Sequence, residues 1–181
     1  MTGIPFPTVY WPHWDVDATF DAGDLLPPES EGRLWAVLVF LYYGDKVALA
    51  DIVGRGMCIP SGRIEAGETI AQASERECFE ETGARLRPES RRLIGCYRMT
   101  PRSGTKAGQT RFCPVFIADA LGFEPLPAGS ESQGLFLAAQ EDIADLYFFW
   151  DPLMAAVFEF ADTQKQRYLS PGTPLSALFE S

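Results

Sequence analysis

Hydrophobic and polar positions along the chain predict alternating strands and helices. The apolar, β-branched and aromatic run Leu34–Tyr43 reads as a buried strand, and Tyr43-Gly44-Asp45 turns it into a second strand near Lys46–Asp51. A short extended piece, Met57–Pro60, leads into a glycine-punctuated loop over Ser61–Glu68. A helix is expected from Thr69, whose hydroxyl can cap it, to Gly83, a common helix stop. Further strands are expected at Arg92–Met99, Phe112–Asp119 and Gly134–Leu137. Helices are expected at Ala139–Leu146 and from Pro152 to about Asp162. Residues 1–32, rich in proline and aromatics, read as an extended arm lying on the domain, and residues 166–181 as a tail. The globular part is then 33–165, in a chain whose 181 residues suit one domain.

Charge sharpens this picture. The formal net charge of −10 argues against a nucleic-acid polymer as partner, since phosphate backbones attract basic proteins. A small phosphorylated ligand stays open, because a bound cation can reverse the local field. Eight cations fall between residues 85 and 111, where the only acid is Glu89. Within that stretch, Arg98, Arg102, Lys106 and Arg111 are candidates for gripping substrate phosphates, the alternative being a solvated loop. Cys58, Cys78, Cys96 and Cys113 include no CxxC pair, and His13 is the single histidine, so a structural zinc site lacks ligands. Free thiols fit a cytoplasmic location. The longest apolar run is shorter than the ~20 residues of a membrane-spanning helix, so no membrane is expected as partner.

The chemistry concentrates between Gly62 and Ala84, GRIEAGETIAQASERECFEETGA. On a helix, Glu77, Glu80 and Glu81 share one face. Carboxylates this close repel one another and call for a compensating charge. Hard oxygen ligands favour Mg²⁺ or Mn²⁺.

The same segment resembles the Nudix box, Gx5Ex7REUxEExGU, where U is a bulky aliphatic residue. Gly62, Glu68, Arg76, Glu77, Glu80, Glu81 and Gly83 all match at the required spacing, while Cys78 and Ala84 occupy the U positions. At ~7% per residue type, seven fixed matches arise by chance roughly once in 10⁸ placements. The resemblance implies an α/β (α+β) fold with a mixed β-sheet between helices, and a Mg²⁺- or Mn²⁺-dependent hydrolase of the Nudix family. It implies that Glu77, Glu81 and Glu80 bind the metal, with a backbone carbonyl near Gly62 as a further ligand. Glu68 and Arg76 would brace the loop against the helix.

The implied reaction is attack of metal-bound water on a pyrophosphate bond in a nucleoside diphosphate-linked compound or a nucleoside triphosphate. A carboxylate must take the water's proton. Glu77 and Glu80 in the box are candidates, as is the downstream Glu131, with Glu124 behind it. The alternative is a Nudix-fold domain that binds nucleotides, or regulates, without cutting. The N-terminal aromatics could wall the pocket, stack on a base, or pack on the core or on a second subunit of a homodimer.

Overall fold

A computed structural model describes residues 6–169. The part of the expected tail beyond residue 169 lies outside the described residues. The first strands are β1 (Val9–Trp11), β2 (Val16–Ala22), β3 (Arg33–Leu34), β4 (Ala36–Tyr43), β5 (Lys46–Ile52), β6 (Gly56–Cys58) and β7 (Ser61–Arg63). Helix α1 (Ile70–Thr82) is followed by β8 (Ala84–Leu86), β9 (Arg92–Pro101), β10 (Arg111–Phe123) and β11 (Ser132–Ala138). The short α2 (Ile143–Leu146) and the long α3 (Pro152–Tyr168) complete the described chain.

The strands form one mixed sheet in the order β1-β2-β9-β10-β4-β5-β11, with β3, β6, β7 and β8 pairing off that path. The β4–β10 pair at its centre is parallel, in the register Val115↔Leu38 to Asp119↔Tyr42. Strand β4 shows why the sheet is covered on both faces. Its Val37, Val39 and Leu41 enter one apolar cluster with Ala73 and Cys78 of α1. Its Phe40 and Tyr42 enter the other, with Leu153, Val157 and Phe158 of α3. Successive side chains point to opposite faces, so an unbroken apolar run serves two cores at once. The fold is therefore the expected mixed sheet between helices.

Several elements differ from expectation for local reasons. The segment expected as an arm supplies β1 and β2, which pair with each other and extend the sheet through β9. Alternate residues Val16, Ala18 and Phe20 are buried, so this is a core strand with one solvated face. Trp11 buries its ring and donates its indole N–H to Asp151 at 2.6 Å, and Asp151 also caps α3 through the Met154 N–H at 2.7 Å. The strand expected from Leu34 is interrupted at Trp35, which separates β3 from β4. Helix α3 continues past Asp162 to Tyr168. The helix expected over Ala139–Leu146 is a 3-10 turn, Gln140–Asp142, followed by the single turn of α2.

Candidate active site

Helix α1 is delimited by local chemistry. The Thr69 hydroxyl accepts the Gln72 N–H at 3.1 Å and the Gln72 side chain accepts the Thr69 N–H at 2.9 Å, a reciprocal cap. Gly83 ends the helix at φ 74, a left-handed conformation, and a Cβ there would overlap the Glu124 carbonyl. Between these stops, Glu77 and Glu81 point inward and are 7% and 8% exposed, whereas Glu80 is exposed.

Arg76 organises the box. Its Nε and Nη2 donate to the two Glu68 oxygens at 2.8 and 2.9 Å, and Nη2 also reaches the Arg63 carbonyl at 2.8 Å. Its Nη1 donates to Glu77 at 2.6 Å and Glu80 at 3.2 Å. Hydrogen bonding from Arg76 holds the Glu68 carboxyl below its usual range. Glu77 lies above its usual range because burial outweighs Arg76. Among the described residues Glu81 forms no ion pair with an arginine and accepts only the Ser61 N–H, at 2.8 Å. Burial pushes it up to about 8. The helix thus buries more carboxyl groups than its own cation serves.

This arrangement fits a divalent metal in donor chemistry. Among the described residues no three carboxylate, thiolate or imidazole groups converge on one point, because Arg76 holds Glu77 and Glu80 while the Ser61 N–H holds Glu81. The carboxylate oxygens are nevertheless hard donors, and those of Glu77 and Glu81 are buried, which suits a hard cation. Gly62 completes the fit: a Cβ there would overlap the Glu77 carboxylate, so only glycine lets β7 approach the carboxylates this closely.

Beside β7 opens a cavity of about 670 Å³ whose wall includes Ser61, Gly62 and Arg63. Its aromatic side is assembled from distant segments, with Trp11, Trp14, Trp35, Tyr97, Phe148 and Phe149. The β1–β2 turn and the β9–β10 loop meet at its rim. There Asp15, at φ 50, accepts hydrogen bonds from the Tyr10 and Ser103 hydroxyls, and its carbonyl accepts the Arg102 N–H at 2.9 Å.

The structure divides the residues expected to grip phosphate. Lys106 and Arg111 line the cavity. Arg98 instead pairs with Asp21 at 2.8 Å and Glu31 at 3.3 Å, and Arg102 with Asp17 at 2.6 Å. The basic stretch seemed free of acids only along the sequence, because β2 and its flanks bring the carboxylates in from the side. Arg55, Arg63 and Trp35 also line the cavity and went unnoticed in the sequence. The available signal was that Arg63 directly follows Gly62 of the box.

Of the downstream acids, Glu124 pairs with Arg85 at 2.6 Å. Glu131 is exposed and lies close enough to Glu81 to raise its pKa. Its loop is pinned on both sides. The Ser130 hydroxyl donates to the Glu80 carbonyl at 2.6 Å, and the Glu131 carbonyl accepts the Val53 N–H at 2.9 Å.

Comparison with known proteins places the fold and the family. Solved structures with a similar fold include the pyrophosphohydrolase BsRppH of Bacillus subtilis, at TM-score 0.64 and 23% identity over 83% of this chain and 91% of that one. A NUDIX hydrolase from Nitrosomonas europaea matches at TM-score 0.55 and 26% identity over 83% and 97% of the two chains. The MutT protein of Bacillus halodurans matches at TM-score 0.53 and 23% identity over 77% and 84%. No curated protein matches the sequence. The family model described as NUDIX domain matches residues 32–168, so the chain belongs to the Nudix family.

Proposed function

We propose that this protein is a pyrophosphohydrolase, cutting a P–O–P bond in a nucleoside triphosphate or a nucleoside diphosphate linked to another group. One observation carries the reading: the buried carboxylate of Glu77 lies against Gly62 and that of Glu81 accepts the Ser61 N–H, and Ser61 and Gly62 both form part of the cavity wall. The family membership and the pyrophosphohydrolase among the similar structures support it.

Glu77, Glu80, Glu81 and the Gly62 carbonyl would hold Mg²⁺ or Mn²⁺, which supplies charge neutralisation at the phosphates and a lowered pKa for water. The chain's own residues do the rest. Arg76 holds Glu77 and Glu80 on the helix and ties them to Glu68, so the carboxylates present a fixed array. The aromatic wall excludes water and offers faces for a base. A carboxylate must accept the attacking water's proton, and Glu131 is the best suited. Its charge reaches Glu81, and its side chain forms no ion pair or hydrogen bond among the described residues. Glu77 and Glu80 both accept hydrogen bonds from Arg76, so their oxygens are already engaged.

The test is release of phosphate or mononucleotide from a panel of nucleotides with and without Mg²⁺. Cleavage should require the metal and should be lost in both Glu77→Gln and Glu81→Gln. A protein that binds nucleotides but releases no product under any condition would be a binding domain, and the proposal would be withdrawn.

A further inference from the structure

Among the described residues the cations divide into paired and unpaired ones. The unpaired ones are four on the cavity wall together with Arg33, Arg92, Lys165 and Arg167 away from it. Arg55, Arg63, Lys106 and Arg111 line the cavity, and none has a carboxylate within ion-pair distance among the described residues. The paired cations, Lys46, Arg76, Arg85, Arg87, Arg91, Arg98 and Arg102, all lie outside its wall. Asp15 is the one carboxylate on that wall, and it is engaged by Tyr10 and Ser103. In a chain of net charge −10, a cavity wall with a surplus of positive charge needs an explanation.

Two of these cations share one support. The Arg63 guanidinium lies 5.8 Å and the Arg111 guanidinium 5.0 Å from the centre of the Trp35 ring. The backbone of Trp35 is fixed on both sides of the gap between them. Its N–H donates to the carbonyl of Phe112, next to Arg111, at 2.9 Å, and its carbonyl accepts the N–H of Ile64, next to Arg63, at 3.1 Å. A guanidinium against an aromatic face keeps its charge, and its N–H groups remain free for an anion. An ion pair with a carboxylate would have consumed those same donors, as it does for Arg98 and Arg102.

We propose that Arg63 and Arg111 form a phosphoryl-binding pair on the cavity wall, and that Trp35 is the residue that positions them. The inference deepens the pyrophosphohydrolase reading and rests on it for the identity of the anion. It moves the phosphate grip from the β9–β10 loop to the junction of β7, Trp35 and β10.

The test is titration of the protein with inorganic pyrophosphate by calorimetry, at low ionic strength and with a chelator present, so that no turnover enters. The wild-type chain should bind. The double variant Arg63→Ala/Arg111→Ala should bind at least ~10-fold more weakly, the loss expected for charge-assisted hydrogen bonds. Trp35→Leu should lose most of that affinity, while Trp35→Phe, which keeps an aromatic face, should stay within about threefold of wild type. In turnover, Trp35→Leu should raise KM by about as much as it weakens pyrophosphate binding and leave kcat within about twofold. Equal binding by the wild type and the double arginine variant would overturn the site, as would a wild type that does not bind. Trp35→Leu matching wild type while the arginine variant fails would overturn the role of Trp35. Hydrolysis is measured separately, so a chain that binds pyrophosphate yet never cuts would sink the enzymatic reading alone.

Discussion

The helix α1 side of the site and the cavity wall beyond Gly62 carry opposite unbalanced charges. On α1, Arg76 serves Glu68, Glu77 and Glu80 together, and Glu81 is left with only a backbone N–H. On the cavity wall, Arg55, Arg63, Lys106 and Arg111 have no carboxylate within ion-pair distance among the described residues. Among the described residues no ion pair joins the two sides, although Gly62 and Arg63 are adjacent in β7 and Arg55 is near enough to favour the charged form of Glu81. The cost of burial falls on Glu77 and Glu81, whereas Arg55, Arg63 and Lys106 are exposed and keep their charge in contact with solvent. Keeping them apart suits a ligand that brings a cation to one side and an anion to the other, as a metal-bound diphosphate does.

The largest expected effect tests which carboxylate acts on the proton. Glu131→Gln should lower kcat by ~10²–10⁴-fold, the usual contribution of a general base, with KM nearly unchanged. Stability should be unaltered, because the Glu131 side chain is exposed. If Glu131→Gln retains wild-type kcat and Glu80→Gln does not, the proton acceptor belongs to α1 and the division of labour drawn here is wrong. Next in size is Arg76→Ala. It removes the donors to Glu68, Glu77, Glu80 and the Arg63 carbonyl at once. The Arg76 side chain is 22% exposed, so solvent offsets part of the loss, and destabilisation of about 2–3 kcal/mol is expected by urea unfolding. A change under ~0.5 kcal/mol would mean that the α1 carboxylates do not depend on their shared arginine.

The two sides also differ in how far they can be read from the sequence. The box is one segment of fixed spacing, so helical geometry alone places Glu77, Glu80 and Glu81 together, and Thr69 and Gly83 mark its ends. The central sheet is legible for the same reason: long apolar runs such as the one ending at Tyr43 have no other stable place. The cavity wall is assembled from separate segments brought together by sheet pairing. Arg98 and Arg102 looked free because their partners Asp21 and Asp17 are far away along the chain and become neighbours only when β2 pairs with β9. The N-terminal strands were hidden by composition. Proline and aromatic residues around Trp11 suggest irregular chain, and only the alternation of Val16, Ala18 and Phe20 betrays a half-buried strand.

A pH series on the metal-free protein sharpens the account of α1. The folded-state pKa of Glu81 is raised by burial to about 8, from a usual value near 4.5. An acid whose folded pKa lies above its unfolded one favours folding fully below the unfolded value and loses that contribution as pH rises through the folded value. Stability should therefore fall between about pH 5 and 8, by ~4 °C or more in Tm, with chelator present. Glu81→Gln should flatten that fall, and saturating Mg²⁺ should stabilise the wild type more at pH 8 than at pH 5, since a cation favours the ionised carboxylate. A Tm that rises over the same range would show that Glu81 is already charged in the metal-free fold.

The smallest expected effect is the most specific test of the charge sorting. Arg102 is a basic side chain at the cavity rim, close in sequence to Lys106, yet it is paired with Asp17 at 2.6 Å and stacked over Tyr10 at 4.0 Å. Its partner also keeps its charge readily, because the Arg102 hydrogen bond holds the Asp17 carboxyl below its usual range. The pair is solvent-exposed, so Arg102→Ala should leave stability close to that of the wild type. KM should move less than about twofold, whereas Arg111→Ala, at a cation with no carboxylate partner, should raise it several-fold. The contrast matters more than either value, because both positions bracket the same β9–β10 loop. Equal rises in KM for the two variants would mean that the loop acts by its overall positive potential, and pairing with Asp17 would then be no barrier to substrate binding.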